Sequence, residues 1–224
     1  MLTTFSEIDL NGIKGVLLDL DDTLYPYDIC HNFAYEKCKV FAGANYAISE
    51  VDFDLTWKAA RSKVHNDLHG QGASHSRLLY FQKQYEQVFG HTDAAYVLKM
   101  EDLYWTEFIS VMKIDSDAKD FLKLLKSKRI PSCIVTDLTT QIQLKKWLHL
   151  GLENYIDFIV TSEEAGVEKP ASYIFNMGLE KLKLNPSDVI MIGDSEKKDI
   201  EGAKLLGIKT YHIKANSTFY KTQQ

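Results

Sequence analysis

The chain has 224 residues, 45% of them hydrophobic and 25% charged, with a formal net charge of −5. That length suits one large domain or a core domain with a smaller companion. The acidic balance argues against a protein whose overall field gathers nucleic-acid polymer or anionic membrane. No apolar run approaches the about 20 residues of a bilayer span, so no membrane partner is expected. The opening MLTTFSEIDLNGIKG lacks the basic-then-apolar order of a secretory leader. Three cysteines, Cys30, Cys38 and Cys133, without CxxC spacing, predict reduced thiols and a cytoplasmic setting, with Cys133 a buried small hydrophobe.

Along the chain, five short apolar runs rich in β-branched residues predict strands: GVLLDL (15–20), SCIVT (132–136), DFIVT (157–161), VIMIG (189–193) and KTYHI (209–213). Each lacks the alternation of a half-exposed strand, which predicts burial on both faces. Helical patterns at 140–150, 171–182 and 195–206 separate the last four, the rhythm of βαβ units and a parallel sheet covered by helices. Between the first two strands the rhythm breaks. Residues 28–113 offer only amphipathic stretches (33–47, 51–68, 74–88 and 94–111), with breaks at HGQG (69–72) and FGHT (89–92). A helix over 116–128, with Phe121, Leu122, Leu124 and Leu125 on one face, returns the chain to the sheet. The expected organisation is an α/β, Rossmann-like core of residues 1–26 and 114–224, interrupted by an all-helical domain of residues 27–113. The final ANSTFYKTQQ reads as a loosely held tail.

The first strand runs into three acids, Asp19, Asp21 and Asp22. Open parallel sheets bind ligands at the carboxyl ends of their strands. Asp19 and Asp21, two residues apart in extended chain, point to the same side. Two carboxylates held together call for a proton or a cation between them, and an oxygen-only donor set suits a hard ion such as Mg²⁺. Taken alone, Asp21-Asp22-Thr23 reads equally well as a turn or helix cap. Other strand ends shift that balance. The second strand ends in Thr136, the fourth runs into GDSEKKD with Asp194 and Asp199, and Lys169 precedes Pro170 at a helix start. Carboxylates, a hydroxyl and an ammonium are the inventory of phosphoryl transfer. An aspartate attacking a phosphate monoester is anion meeting anion, which a cation and a lysine must neutralise.

These residues resemble the haloacid dehalogenase superfamily along nearly the whole chain. The DxDx(T/V) strand end appears as Asp19-Leu20-Asp21-Asp22-Thr23, the strand-ending hydroxyl as Thr136, the lysine–proline pair as Lys169-Pro170, and GDxxxxD as Gly193 to Asp199. The resemblance implies a Mg²⁺-dependent phosphatase acting on a small phosphorylated metabolite, a sugar phosphate or nucleoside monophosphate. Asp19 would be nucleophile and metal ligand. Asp21 would be general acid/base, lending its backbone carbonyl to the metal, and Asp194 would complete the metal site. Thr136 and Lys169 would hold the phosphoryl oxygens, and Asp199 would orient Lys169 or a metal-bound water. The helical insertion would be a C1-type cap. Dehalogenases of this kind lack the second aspartate of the first motif, so Asp21 favours phosphate chemistry.

One departure stands beside the threonine, where the family often carries Asn or Gly and this chain has Asp137. Its N–H is free to serve a phosphoryl group while its carboxylate faces the cap or a cationic substrate group. In the insertion, Arg77 follows a glycine-flexed loop and is a candidate for a substrate carboxylate or second phosphate; otherwise it lies on a solvated outer face. His65 and His69, four apart, lack a third ligand and read as surface histidines. Lys197 and Lys198 read as a solvated face, and YWTEF (104–108) as helix packing. A phosphomutase uses the same four motifs. A receiver-type phosphoacceptor leaves no room for the long helical stretch between Asp19 and Thr136, and a binding protein on an idle scaffold need not keep all four motifs. The assembly expected is a monomer or homodimer.

Overall fold

The computed structural model describes residues 2–213. The tail at 215–224 lies outside the described residues. Five strands form one parallel sheet in the order β3-β2-β1-β4-β5: β1 Gly15–Leu18, β2 Ser132–Thr136, β3 Phe158–Thr161, β4 Val189–Gly193 and β5 Lys209–His212. The chain builds outward from β1 through β2 to β3, then returns to add β4 and β5 on the other side. That reversal puts a topological switch point at the carboxyl end of β1, where such sheets bind ligands. Register fixes the neighbours there: Leu18 pairs with both Ile134 and Ile192, so the residues after β1, β2 and β4 emerge side by side.

Both faces of the central strands are covered. Leu17, Cys133, Val135, Val189 and Met191 pack with Ile174, Phe175 and Leu179 of the helix Ser172–Leu182 and with Ala203. The alternate residues Val16, Leu18, Ile134, Ile190 and Ile192 are equally buried on the other face. The expected burial of all five strands fails at the edges. Phe158 is 41% exposed at the start of β3, and in β5 Lys209 is exposed and the other three residues are half-buried, because an edge strand has one neighbour instead of two.

Contacts divide the chain into two compact units, residues 1–27 with 113–224 and residues 28–112. Helices of the sheet unit are α5 Ser116–Lys128, α6 Thr140–His149, α7 Ser162–Ala165, α8 Ser172–Leu182 and α9 Gly202–Lys204. The expected helix over 195–206 is instead a wide π-helical turn, Glu196–Glu201, followed by α9. Ser195 starts it, its hydroxyl accepting the Lys198 N–H at 3.2 Å while its carbonyl accepts from both Asp199 and Ile200.

The second unit is helical: α1 Tyr27–Tyr46 (whose first residue belongs to the sheet unit), α2 Glu50–Asp67, α3 Arg77–Phe89 and α4 Ala94–Ser110. Its core is aromatic, with Phe53, Trp57, Tyr80, Phe81, Tyr96, Tyr104, Trp105 and Phe108 buried, so YWTEF is packing as expected. The helix expected from residue 74 begins at Arg77, because Gly72–His75 closes a 3₁₀ turn first and Ser76 then caps α3 through the Leu79 N–H. His65 and His69 share no helix face. α2 ends at Asp67, and half-buried His65 meets the Tyr80 hydroxyl at 2.8 Å.

Candidate active site

At the end of β1 the chain turns sharply. Asp22 sits in the left-handed region at φ 61° and its carboxylate accepts the Tyr27 N–H at 2.9 Å, so the third acid is the turn residue of the group. Asp19 is 6% exposed, and its own N–H bonds the carbonyl of Ile192 on β4 at 2.9 Å. A carboxylate oxygen of Asp19, one of Asp194 and one of Asp199 lie within 4.8 Å of one another. Thr23 points its hydroxyl at this group, 3.2 Å from Asp194 Oδ1 and 3.4 Å from Asp19 Oδ2.

Lys169 enters from the loop before α8, across a cis Lys169–Pro170 peptide. Its buried ammonium donates to Asp19 Oδ1 at 2.6 Å and to Asp199 Oδ1 at 2.7 Å. The second oxygen of Asp199 accepts the Ser195 N–H at 3.0 Å. One oxygen of Asp199 is therefore engaged with Lys169 and the other with the Ser195 backbone. Burial pushes the Asp19 carboxyl well up, and the Asp199 and Asp194 carboxylates push it further against Lys169. Asp194 is raised by burial and by Asp199. Burial alone would lower the Lys169 ammonium, but Asp19, Asp199 and Asp137 together hold it firmly charged. The site carries more negative charge than one lysine balances.

That imbalance is the test of whether a divalent cation fits. With Asp199 committed to Lys169 and Ser195, the oxygens left facing one another belong to Asp19 and Asp194. A hard ion between them would relieve the repulsion that raises both groups.

Asp21 is held elsewhere. Lys146 of α6, fully buried, donates to Asp21 Oδ1 at 2.7 Å and Oδ2 at 3.0 Å, and the Tyr25 hydroxyl donates to Oδ1. Burial would raise the Asp21 carboxyl, yet Lys146, Tyr25 and Gln143 together keep it below its usual value. Thr136, at 1% exposure, accepts from Gln143 Nε2 at 2.7 Å; the same amide reaches the Asp137 carbonyl at 2.8 Å. The Asp137 carboxylate, expected to face the cap or a cationic substrate group, is engaged within the sheet unit. Its Oδ1 accepts the backbone N–H of Lys169 at 3.0 Å and its Oδ2 pairs with Lys198 at 2.7 Å. Lys198 is half-buried and ion-paired, whereas Lys197 is exposed.

Of the candidates, Asp19, Asp194, Asp199 and Lys169 form one bonded cluster, Asp137 braces the lysine loop, and Asp21 and Thr136 meet through Gln143. Arg77 belongs to the helical unit. It is 7% exposed, not on an outer face, with its guanidinium about 5.3–5.4 Å from the rings of Tyr80, Tyr104 and Trp105 and bonded to the His75 carbonyl at 2.7 Å. Lys146, Gln143 and Tyr25 escaped the sequence reading, which took Thr23 only as a motif and turn residue. The available signal was the pair Gln143 and Lys146, three apart beside Ile142 on one face of a predicted helix.

A strand-end aspartate bonded to a buried lysine, facing a second aspartate across a parallel sheet's switch point, defines a hydrolase built for an anionic substrate. A family model described as haloacid dehalogenase-like hydrolase matches residues 13–207. The chain belongs to the haloacid dehalogenase-like hydrolases. It is 38% identical over 200 residues to ribulose-1,5-bisphosphate 5-phosphatase of Halopiger xanaduensis, covering 88% of this chain and 82% of that one. It is 29% identical over 205 residues to glyceraldehyde 3-phosphate phosphatase of Methanocaldococcus jannaschii, covering 90% and 85%. A HAD phosphatase structure from Thermococcus onnurineus shares the fold at a TM-score of 0.68 and 22% identity, covering 92% of this chain and 88% of that one. The enzyme is a HAD-like phosphatase. Among the described residues no helix is long and apolar enough to cross a membrane.

Proposed function

We propose that this phosphatase hydrolyses a small sugar phosphate through a phosphoaspartate on Asp19, using Mg²⁺ held by Asp19, Asp194 and the backbone carbonyl of Asp21. The observation that carries it is the Lys169 ammonium, buried and bonded at once to Asp19 at 2.6 Å and Asp199 at 2.7 Å. A buried lysine fixed beside a nucleophilic carboxylate supplies the positive charge a phosphoryl group needs on approach. Two relatives that cover most of the chain and are named for a ribulose bisphosphate and a triose phosphate support a sugar phosphate as substrate.

The Asp19 carboxylate attacks phosphorus. Asp21 enters the cycle protonated, against the pull of Lys146, gives that proton to the departing sugar oxygen, and regains one from the water that hydrolyses the phosphoaspartate. Thr136 and Lys169 hold the non-bridging oxygens, and Asp199 keeps Lys169 in place. A cation held by Asp19, Asp194 and the Asp21 carbonyl would neutralise charge on the phosphoryl group. Residues 28–112 act as the cap that selects the substrate, with Arg77 as a candidate there.

The test is phosphate release from ribulose 1,5-bisphosphate and glyceraldehyde 3-phosphate with Mg²⁺. Steady turnover of at least one is expected, abolished by EDTA and reduced about 10³-fold or more in Asp19→Asn. Activity that survives EDTA, or full turnover in Asp19→Asn, overturns the reading.

A further inference from the structure

α6 buries two long polar side chains beside Ile142 while leaving two leucines exposed. Leu144 and Leu148 are 43% and 68% exposed, while Gln143 and Lys146 are fully buried. An interior ammonium is costly even when paired, and an apolar side chain of the same length commonly serves stability as well or better. Gln143 adds to the cost. Its Nε2 faces the Thr136 hydroxyl, the Asp137 carbonyl and, at 3.4 Å, Asp21 Oδ2. Carbonyl and carboxylate acceptors require the amide nitrogen on that side. Its Oε1 is thereby left buried without a hydrogen-bond partner among the described residues. A helix face that gives up two apolar positions and one acceptor is shaped for something other than stability.

Both side chains reach the Asp21 carboxylate. The Lys146 ammonium lies 5.7 and 5.9 Å from the rings of Tyr25 and Tyr27 and meets both oxygens of Asp21, while the Tyr25 hydroxyl meets Oδ1. Asp21 lies on the loop that leaves β1, and a loop carboxylate with no brace would sample several rotamers. We propose that Lys146, supported by Tyr25 and Gln143, is the positioning residue of Asp21, fixing that carboxylate for its proton transfers. Gln143 extends the brace to Thr136, so the acid/base and the phosphate-binding hydroxyl share one support. This inference rests on the acid/base role proposed above for Asp21.

Separating the two half-reactions tests it. With enzyme in excess over p-nitrophenyl phosphate, phenol release reports transfer to Asp19, and phosphate release reports hydrolysis of the phosphoaspartate. A nitrophenolate leaves without protonation, so Lys146→Met keeps phenol release within about 3-fold of the parent while phosphate release slows about 10–100-fold. On the better of ribulose 1,5-bisphosphate and glyceraldehyde 3-phosphate, whose leaving oxygen needs a proton, kcat falls at least as far with KM within about 3-fold. Lys146→Arg recovers part of both losses. Tyr25→Phe, which removes one hydroxyl, shows the same pattern more weakly and carries the test should the Met variant not fold. Equal slowing of phenol and phosphate release, a rise in KM alone, or parent rates in Lys146→Met overturns the inference. The parent reading fails separately, by phenol release that persists in Asp19→Asn.

Discussion

A Cβ built on Gly193 would lie 2.4 Å from the carboxylate carbon of Asp199. The last residue of β4 is thus glycine for close approach, because Asp199 folds back over it to reach both Lys169 and the Ser195 N–H. Gly193→Ala must displace that carboxylate and loosen Lys169. Expected are a loss of about 1–3 kcal/mol in urea unfolding and a kcat at least about 10-fold lower; activity equal to the parent would mean that Asp199 does not position the lysine. Asp137 poses the complementary case. Read from the sequence, it is an extra acid beside a phosphate site, because a side chain's partners are not written in its neighbours. In the structure its charge is met by Lys198 and its other oxygen by the Lys169 N–H. Asp137→Asn keeps an acceptor for that N–H and should stay within about 3-fold of parent kcat, whereas Asp137→Ala should lose distinctly more. Equal kinetics for the two variants would show the hydrogen bond to be irrelevant.

Elements were legible where they repeat a simple pattern. β2 and β4 match their predicted limits because buried strands read as unbroken apolar runs, and α5 because Phe121, Leu122 and Leu125 repeat on one face; its cap, Asp115, was not read from the sequence. That side chain accepts the N–H groups of Asp117 and Ala118 at 2.9 and 3.1 Å and is 7% exposed. Asp115→Ala should cost about 1–2 kcal/mol in chemical denaturation, as expected for a buried cap; a change below about 0.3 kcal/mol would put the helix start under tertiary control instead. The buried polar pair of α6 was illegible because periodicity counts apolar residues, so it finds the face that ought to be buried and cannot flag one on which Gln143 and Lys146 lie beside Ile142. The four motif positions escaped this limit because their chemistry, not their hydropathy, marked them.

For the whole molecule, the sheet's switch point gathers acids from strands distant in sequence, and folding must bring Asp19, Asp194 and Asp199 together against their repulsion. Asp19 and Asp194 have raised pKa values, led by burial. The cation-free native state therefore holds protons more tightly than the unfolded chain. Its stability falls as pH rises from the unfolded aspartate value of about 3.9 through the raised native values. Removing one of these charges should then stabilise the cation-free fold near neutral pH. Asp194→Asn retains an oxygen for the Thr23 hydroxyl, which donates to Asp194 Oδ1 at 3.2 Å. The expected outcome in thermal melts with EDTA is a higher Tm for Asp194→Asn than for the parent. Adding Mg²⁺ reverses the order. An ion that binds only the native state contributes about 2.7 kcal/mol at one hundred times its Kd, and the parent should gain this while Asp194→Asn gains little. Lowering the pH should shrink the parent's gain, since protons compete for the same oxygens. A parent Tm indifferent to Mg²⁺, or an Asp194→Asn protein less stable than the parent in EDTA, would mean that the acid cluster is balanced by Lys169 alone and was not built around a cation.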